Sequence, residues 1–374
     1  MSIKFWMVLG VILLDFGVSS PVFSVQEDSN ITLTPFIEAR GGYETNVFLN
    51  TAPNPEGDSL FYFLNPGIEG DFSPSTHWFL LCELSAEFKR FPNSRFQKAN
   101  ESLVDLFVES LWKISQSLKI GGVYDLSFET QKADSSTTDP TVTNIQSRLT
   151  THYLKGFLKY GWTQASSLKL SLFFMPVRYQ NGTSGGRKLD KDVGGGSLEW
   201  EYSFRKSQML KALYRFKHSQ YRQLIAPNAN GTSSQTNPRL KVDKHELEGT
   251  YEHPITSWLS NSISYQFGLS SDEMGSRDIQ EHTFSDTASF KFMDHLTLNL
   301  DLSFLHQIYD TRLATSSASK TLEESSINGK STLMYEMSEN FQLLFQTEYA
   351  QVLSNNADNE FNNEIFSGGI KFTF

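Results

Sequence analysis

The sequence is 374 residues long, with 39% hydrophobic, 20% charged and 13% aromatic residues and a formal net charge of −10. The acidic balance argues against a general nucleic-acid binder, and the single cysteine, Cys82, excludes a disulfide framework and any cysteine-based zinc or iron–sulfur site. Mean hydropathy is −0.36 and no apolar run after residue 24 approaches the roughly 20 residues of a membrane helix, which leaves passage by strands, whose faces are only half apolar.

Residues 1–24, MSIKFWMVLGVILLDFGVSSPVFS, place Lys4 before an apolar stretch that Asp15 interrupts and small residues end. Val22 and Ser24 stand at −3 and −1 of a cleavage site before Val25, the pattern of a secretory signal peptide. A buried N-terminal helix is the alternative. The remainder, 25–374, reads as one domain.

From Ile31 the dominant signal is period-two alternation, the mark of a strand with two unlike faces. In 77–90, Trp78, Leu80, Cys82, Leu84, Ala86 and Phe88 alternate with Glu83, Ser85, Glu87 and Lys89. Val104, Leu106, Val108 and Trp112 then alternate with Asp105, Glu109 and Lys113, and Leu296, Leu298, Leu300, Leu302 and Phe304 with Thr297, Asn299, Asp301 and Ser303. The pattern predicts 16 strands, near 31–48, 59–72, 77–90, 102–114, 118–130, 147–162, 167–179, 196–205, 209–219, 240–253, 257–270, 280–293, 296–309, 325–337, 341–352 and 361–374.

The links alternate in length. Short ones are SPST (73–76), SQS (115–117), TQAS (163–166), KSQ (206–208), PIT (254–256), DH (294–295) and SEN (338–340). Long ones, rich in Asn, Gly, Ser, Thr and Pro, include 132–146, 181–195 and 220–239. Short turns on one rim and longer loops on the other describe an all-β transmembrane up-and-down antiparallel barrel of the outer membrane. Trp78, Trp112, Trp162 and Trp258 fall near short turns, where an interfacial girdle sits, although ordinary packing would also place them. Cys82 takes the lipid-facing register. The chain ends GGIKFTF, with Ile370, Phe372 and Phe374 on one face, which resembles the C-terminal signal read by the outer-membrane assembly machinery.

The polar face lines the interior. Strands 1–5 contribute Glu38, Glu44, Glu69, Asp71, Glu83, Glu87, Asp105, Glu109, Asp125 and Glu129 against Arg40, Lys89, Lys113 and Lys119. Strands 6–9 contribute Lys155, Lys159, Lys169, Arg205, Lys211, Arg215 and Lys217 against Glu199 and Glu201. An acidic wall beside a basic one either sets up a transverse field across a water-filled pore or is neutralised by ion pairs between neighbouring strands. Sixteen strands leave room for an aqueous channel, and no loop is long enough to form a plug domain. Segment 132–146 or 220–239 could fold inward and narrow the bore.

No phosphate-binding loop, HExxH motif or metal-spaced histidine cluster is present, so no cofactor or metal is expected and the chain reads as a non-enzyme. His218, His245 and His282 lie near the loop-bearing rim with Ser and Asp nearby, a proximity of little specificity in so serine-rich a chain.

Three segments, FIEARGGYETNVFLN, DSLFYFLNPGIEGDF and HWFLLCELSAEFKRF, resemble the β-barrel porins found with bacterial exopolysaccharide and capsule synthesis genes, the EpsL-like group. Gly42, Tyr43, Glu44, Thr45 and Asn46 match its opening Gly-Tyr-Asp-Ser-Asn-like motif, with Glu44 for Asp and Thr45 for Ser. Pro66, Gly67 and Ile68 match its Pro-Gly-Ile/Leu element. The resemblance covers about 60 residues of this sequence, and it implies outer-membrane passage of a secreted polysaccharide, with periplasmic export components as partners. From the residues themselves, Tyr43 stands at an interface and Asn46 caps a loop turn, so packing and saccharide contact are both open. Three readings follow: a channel for exported polysaccharide, a porin for small hydrophilic solutes, and a non-conducting surface anchor or adhesin. All three place the chain among outer-membrane lipid and lipopolysaccharide, and none involves nucleic acid.

Overall fold

The computed structural model describes residues 30–47, 58–131, 147–180, 189–205, 208–226, 236–275, 278–313, 320–356 and 359–374. The expected signal peptide, 1–24, and the 132–146 link lie outside them. The strands are β1 (Asn30–Glu44), β2 (Ser59–Ser75), β3 (Trp78–Arg90), β4 (Glu101–Lys113), β5 (Leu118–Gln131), β6 (Ser147–Gly161), β7 (Ser166–Tyr179) and β8 (Lys191–Arg205). They continue as β9 (Gln208–Ile225), β10 (Arg239–Pro254), β11 (Leu259–Asp272), β12 (Ile279–Met293), β13 (Leu296–Leu313), β14 (Thr321–Ser338), β15 (Phe341–Ser354) and β16 (Phe361–Thr373). Each pairs antiparallel with its sequence neighbours, and β1 also pairs with β16, from Phe36 opposite Thr373 to Glu44 opposite Ile365, so the sheet closes. Closure is what hydrocarbon demands, because an open edge would leave backbone polar groups unsatisfied there. Among the described residues no helix is long and apolar enough to cross a membrane.

The pairing sorts side chains onto two surfaces. Leu80, Cys82 and Leu84 stand opposite Ser110, Val108 and Leu106, while Glu83, Ser85 and Glu87 stand opposite Phe107, Asp105 and Leu103. Side chains crowd on the concave inside of a barrel and splay on its convex outside. Accordingly Leu84, Leu158, Leu170 and Leu172 of the first surface are exposed, and Phe36, Phe157, Val193 and Glu246 of the second are buried. The first surface is the outer, lipid-facing one; the second lines the lumen.

The strands depart from the alternation-based bounds where composition misleads. β8 begins at Lys191 and takes in Gly194 and Gly195, which composition assigns to the 181–195 loop. A Cβ on Gly195 would meet the Phe216 carbonyl oxygen at 2.1 Å and the Phe173 ring at 2.7 Å, so this stretch closes up only as glycine. β9 runs on to Ile225, which shortens the expected 220–239 loop. β1 stops at Glu44, because Asn46 adopts a left-handed φ of 47° that no strand continues through.

Trp78, Trp112, Trp162 and Trp258 are all exposed on the short-turn side. Trp78 Nε1 donates to Ser110 Oγ at 3.0 Å on the neighbouring strand. Toward the long-loop rim the outer face carries hydrogen-bonded Tyr–His pairs: Tyr124 with His152 (3.1 Å), Tyr214 with His245 (2.8 Å) and Tyr265 with His282 (2.8 Å). Amphipathic rings at both ends of an apolar band are the expected markers of the two interfaces.

Candidate functional site

The strand register carries every residue of the expected acidic wall to the lumen surface. Glu69 faces Glu83 directly across β2 and β3, and Asp105 faces Ser85 across β3 and β4. Asp125 and Glu129 of β5 stand opposite Phe107 and Leu103, and Glu109 stands opposite Leu81. Glu38 pairs with Arg40 at 2.7 Å, and that guanidinium lies 4.0 Å from the Phe63 ring centroid. Glu69, Asp71, Glu83, Glu87, Asp105, Glu109, Asp125 and Glu129 make no ion pair among the described residues. Like charges directly opposite each other destabilise a sheet. Of the eight, Glu69 and Glu83 are the pair set directly opposite each other.

The basic wall differs. Lys159 is ion-paired with Glu201 of β8. Lys211 pairs with Glu252 of β10 at 2.5 Å. Glu246, 5% exposed, receives Arg215 (3.1 Å), Lys217 (2.9 Å) and Lys244 (3.2 Å), and Lys244 also pairs with Glu281 of β12. Strand neutralisation therefore operates on this side, through carboxylates of β10 and β12 that a tally over strands 6–9 leaves out. Lys155 and Lys169 share the lumen surface, paired in register with Val123 and Glu199, and Arg205 ends β8 at a turn. Lys159, Lys211, Arg215, Lys217 and Lys244 are thus tied up in pairs, while Lys155 and Lys169 stand outside them.

A repeated device on this surface escaped the sequence. Phe61 of β2 lies over Gly42 of β1 with Lys89 Nζ 4.5 Å from the ring centroid. Phe36 lies over Gly67 with Lys371 at 4.8 Å, and Phe157 lies over Gly121 with Lys169 at 4.6 Å. In each stack the glycine is the residue directly paired with the phenylalanine on the adjacent strand. A Cβ on Gly121 would stand 2.3 Å from the Phe157 ring, so the ring needs the bare backbone to lie flat. The cation above gains a ring face and is held against the wall.

At the long-loop mouth the β3–β4 link, 91–100, turns inward around a 3₁₀ helix, Ser94–Ala99. Phe91, Phe96 and Ala99 form a buried cluster with Val47 and Phe61, and Phe63 and Ile365 pack against it. The Phe91 ring lies 6.2 Å from both Phe61 and Phe96, and the Phe91 N–H donates to Asn100 Oδ1 at 2.9 Å. Because Phe61, Phe63 and Ile365 belong to the lumen surface, this segment narrows the mouth. The inward segment is thus 91–100. Of the two links expected to fold in, 132–146 lies outside the described residues, and 220–239 is largely strand where it is described.

The residues that carry the EpsL-like resemblance hold this corner together. The Tyr43 hydroxyl donates to Asp58 Oδ2 at 2.7 Å, and the Asn46 N–H donates to Asp58 Oδ1 at 3.2 Å. The Thr45 N–H donates to the Glu364 carbonyl at 2.9 Å, joining β1 to β16. Glu44 is wholly out of solvent; its carboxylate accepts from Lys89 Nζ at 2.5 Å and Asn363 Nδ2 at 3.1 Å. Gly67 lies under Phe36, while Pro66 and Ile68 face outward. Thr45–Glu364 and Glu44–Asn363 join the end of β1 to β16, and the other contacts tie β1 to β2, to β3 and to the link between β1 and β2.

Removing the two anchoring rings, Phe91→Ala with Phe96→Ala, is expected to free 91–100 from the wall and raise single-channel conductance. The strand signal in circular dichroism should stay unchanged, since neither residue lies in a strand.

His218, His245 and His282 all face outward, the first two in contacts between β9 and β10 and the third between β11 and β12. His218 Nδ1 contacts Asp243 Oδ1 at 2.6 Å, and the other two bind tyrosines. Among the described residues no group of three or more His, Cys, Asp or Glu is arranged to hold a metal. Ile370, Phe372 and Phe374 share the outward register of β16; Ile370 faces Ala39, and the Phe374 N–H donates to the Pro35 carbonyl at 2.9 Å.

No protein-family model matches this sequence, and no curated protein is similar to it. Solved structures are. A BenF-like porin from Pseudomonas fluorescens Pf-5 superposes with a TM-score of 0.52 at 8% identity, covering 93% of this chain and 99% of that one. OccAB1 of Acinetobacter baumannii superposes with a TM-score of 0.50 at 9% identity, covering 93% and 97%. At such identities the likeness is one of fold, and by fold this chain is a β-barrel of the bacterial outer membrane.

Proposed function

We propose that the chain is an outer-membrane channel for small hydrophilic solutes with a preference for cations. The observation that carries this reading is the unpaired acidic wall of β2–β5 beside a basic wall in which Lys159, Lys211, Arg215 and Lys217 are held in ion pairs. Carboxylates that keep their charge along a lumen raise the local cation concentration and repel anions. The inward segment 91–100 supports a porin-like constriction. The polysaccharide passage implied by the EpsL-like resemblance would call for a mouth open to a chain and for exposed ring faces. Phe36, Phe61 and Phe157 instead lie between glycine and a cation, and Tyr43, Glu44, Thr45 and Asn46 are engaged in contacts that hold the first strands, their link and the β1–β16 seam together. The small-solute reading is therefore preferred. The assembly machinery remains the expected reader of Ile370, Phe372 and Phe374, and no catalytic role is assigned to any residue.

Reversal potentials of the purified protein in a planar bilayer test the reading. Cation selectivity should be present at 0.1 M salt and weaken toward 1 M, as the Debye length falls from about 10 Å to about 3 Å. Glu83→Gln, Glu87→Gln, Asp105→Asn and Glu109→Gln together should abolish most of that selectivity without unfolding the barrel, because all four face the lumen. Protein that inserts yet passes no current would leave the surface-anchor reading standing. A current blocked by polysaccharide chains but not by small sugars would favour the export reading.

A further inference from the structure

The outer face carries a charge pattern that conduction does not use. On β7 the outward column runs Leu168, Leu170, Leu172, Phe174, Pro176 and then Arg178. The ten residues from Leu168 to Arg178, at ~3.3 Å each and a tilt of ~40°, climb about 25 Å, the height of the apolar band of such barrels. Trp162 marks the lower interface, so Arg178 stands at the headgroup level of the outer leaflet.

Arg178 is held rigidly. Its Nη1 donates to the carbonyls of Val177 (2.9 Å) and Lys191 (2.8 Å), and its Nη2 binds Asp192. Asp192 Oδ2 also accepts from Arg222 Nε of β9 at 3.1 Å, so one carboxylate aligns two guanidiniums and leaves a net positive charge. Arg222 is 52% exposed, and its Nη1 has no partner among the described residues. Lys241 of β10, also facing outward, extends the row and pairs with Glu273 at 3.2 Å. On the far arc the outward rim positions are Asp310, Glu323 and Glu364, and no described outward side chain of β12–β16 toward that rim is a cation. Arg178 and Arg222 thus stand together above exposed Leu170, Leu172 and Phe174; Arg90 of β3 and Arg148 of β6 also face outward toward this rim, but on strands apart from that pair.

We propose that this arc binds a phosphorylated glycolipid of the outer leaflet, its phosphate on Arg178 and Arg222 and its acyl chains along the β7 column. Guanidinium donors in a fixed plane suit bidentate phosphate recognition, and Asp192 keeps the two in place in the absence of lipid. The apolar column beneath supplies the acyl contact, so headgroup and chain are recognised together.

Native mass spectrometry of the full chain in detergent tests this with diphosphoryl lipid A, monophosphoryl lipid A and phosphatidylethanolamine as probes. Diphosphoryl lipid A should be retained best and phosphatidylethanolamine least. Arg178→Gln with Arg222→Gln should weaken lipid A binding on the order of tenfold, the loss of about 1.4 kcal/mol. Arg178→Lys with Arg222→Lys should recover part of it. Asp310→Asn with Glu323→Gln, on the opposite arc, should leave it unchanged. Heat-modifiable gel mobility reports folding; should the double variant not fold, Arg222→Gln alone, at a half-exposed position, gives the same reading. Wild-type retention of lipid A in the arginine-to-glutamine variants, or equal retention of phosphatidylethanolamine, overturns the proposal. The readout is lipid retention and not current, so its failure is separable from failure of the channel reading.

Discussion

Lys89→Met is expected to destabilise the barrel by about 3–5 kcal/mol, the usual cost of removing one partner from a buried ion pair. The Lys89 ammonium stands 2.5 Å from a Glu44 carboxylate that has no solvent exposure, and 4.5 Å from the Phe61 ring. Without that ammonium the carboxylate loses its strongest compensation in a place water does not reach. The effect also spreads, because the same side chain caps the ring cluster that seats segment 91–100. Chemical unfolding of protein refolded into lipid vesicles measures the change. Glu44→Gln added to Lys89→Met should recover part of the loss, since a neutral amide needs no counter-charge and Asn363 still has an oxygen to bind. A Lys89→Met variant as stable as the wild type would show that the mouth does not depend on this pair.

Leu84→Arg should cost about 2–4 kcal/mol, the penalty for a cation on the lipid face near the bilayer midplane. Leu84 is exposed on the outer surface between Ile68 and Leu106, six residues above Trp78. At ~3.3 Å per residue and a tilt of ~40° that lies about 15 Å above the girdle, near the middle of the band. Ser85→Arg, one position on, should be tolerated, because its side chain turns into the lumen opposite Asp105. The two variants differ only in the face addressed, so equal stabilities in the same unfolding assay would sink the assignment of faces. A one-residue slip of register would exchange their behaviour.

How much of this was legible in the chain can be read from particular residues. The alternation Leu80–Cys82–Leu84 against Glu83–Ser85–Glu87 is local, and a strand with one face in lipid and one in water has no other way to be written. Strand number, strand order and the face of each charged residue therefore follow from sequence alone. The alternation of short and long links does the same for the two rims. Where local composition opposes the pattern, the reading fails: Gly194 and Gly195 resemble a loop, and only the Phe173 ring packed over Gly195 shows why they are strand.

Cross-strand partners are another matter, because a pair such as Gly121 and Phe157 is set by register and by no property of either segment. The glycine–ring–cation stacks, the inward turn of 91–100 and the Glu44–Lys89 pair all depend on which residues closure brings together. So does the difference between the two lumen walls. The acidic side stays unpaired because its neighbours across β2–β5 are carboxylates, hydroxyls and apolar groups. Much of the basic side is neutralised because β10 and β12 bring Glu246, Glu252 and Glu281 within reach of lysines and arginines 29 to 41 positions away in the chain. Local sequence determined the barrel and the sidedness of its charges; the closed sheet decided which charges remain available, since an ion pair depends on distance in space and not on position in the chain.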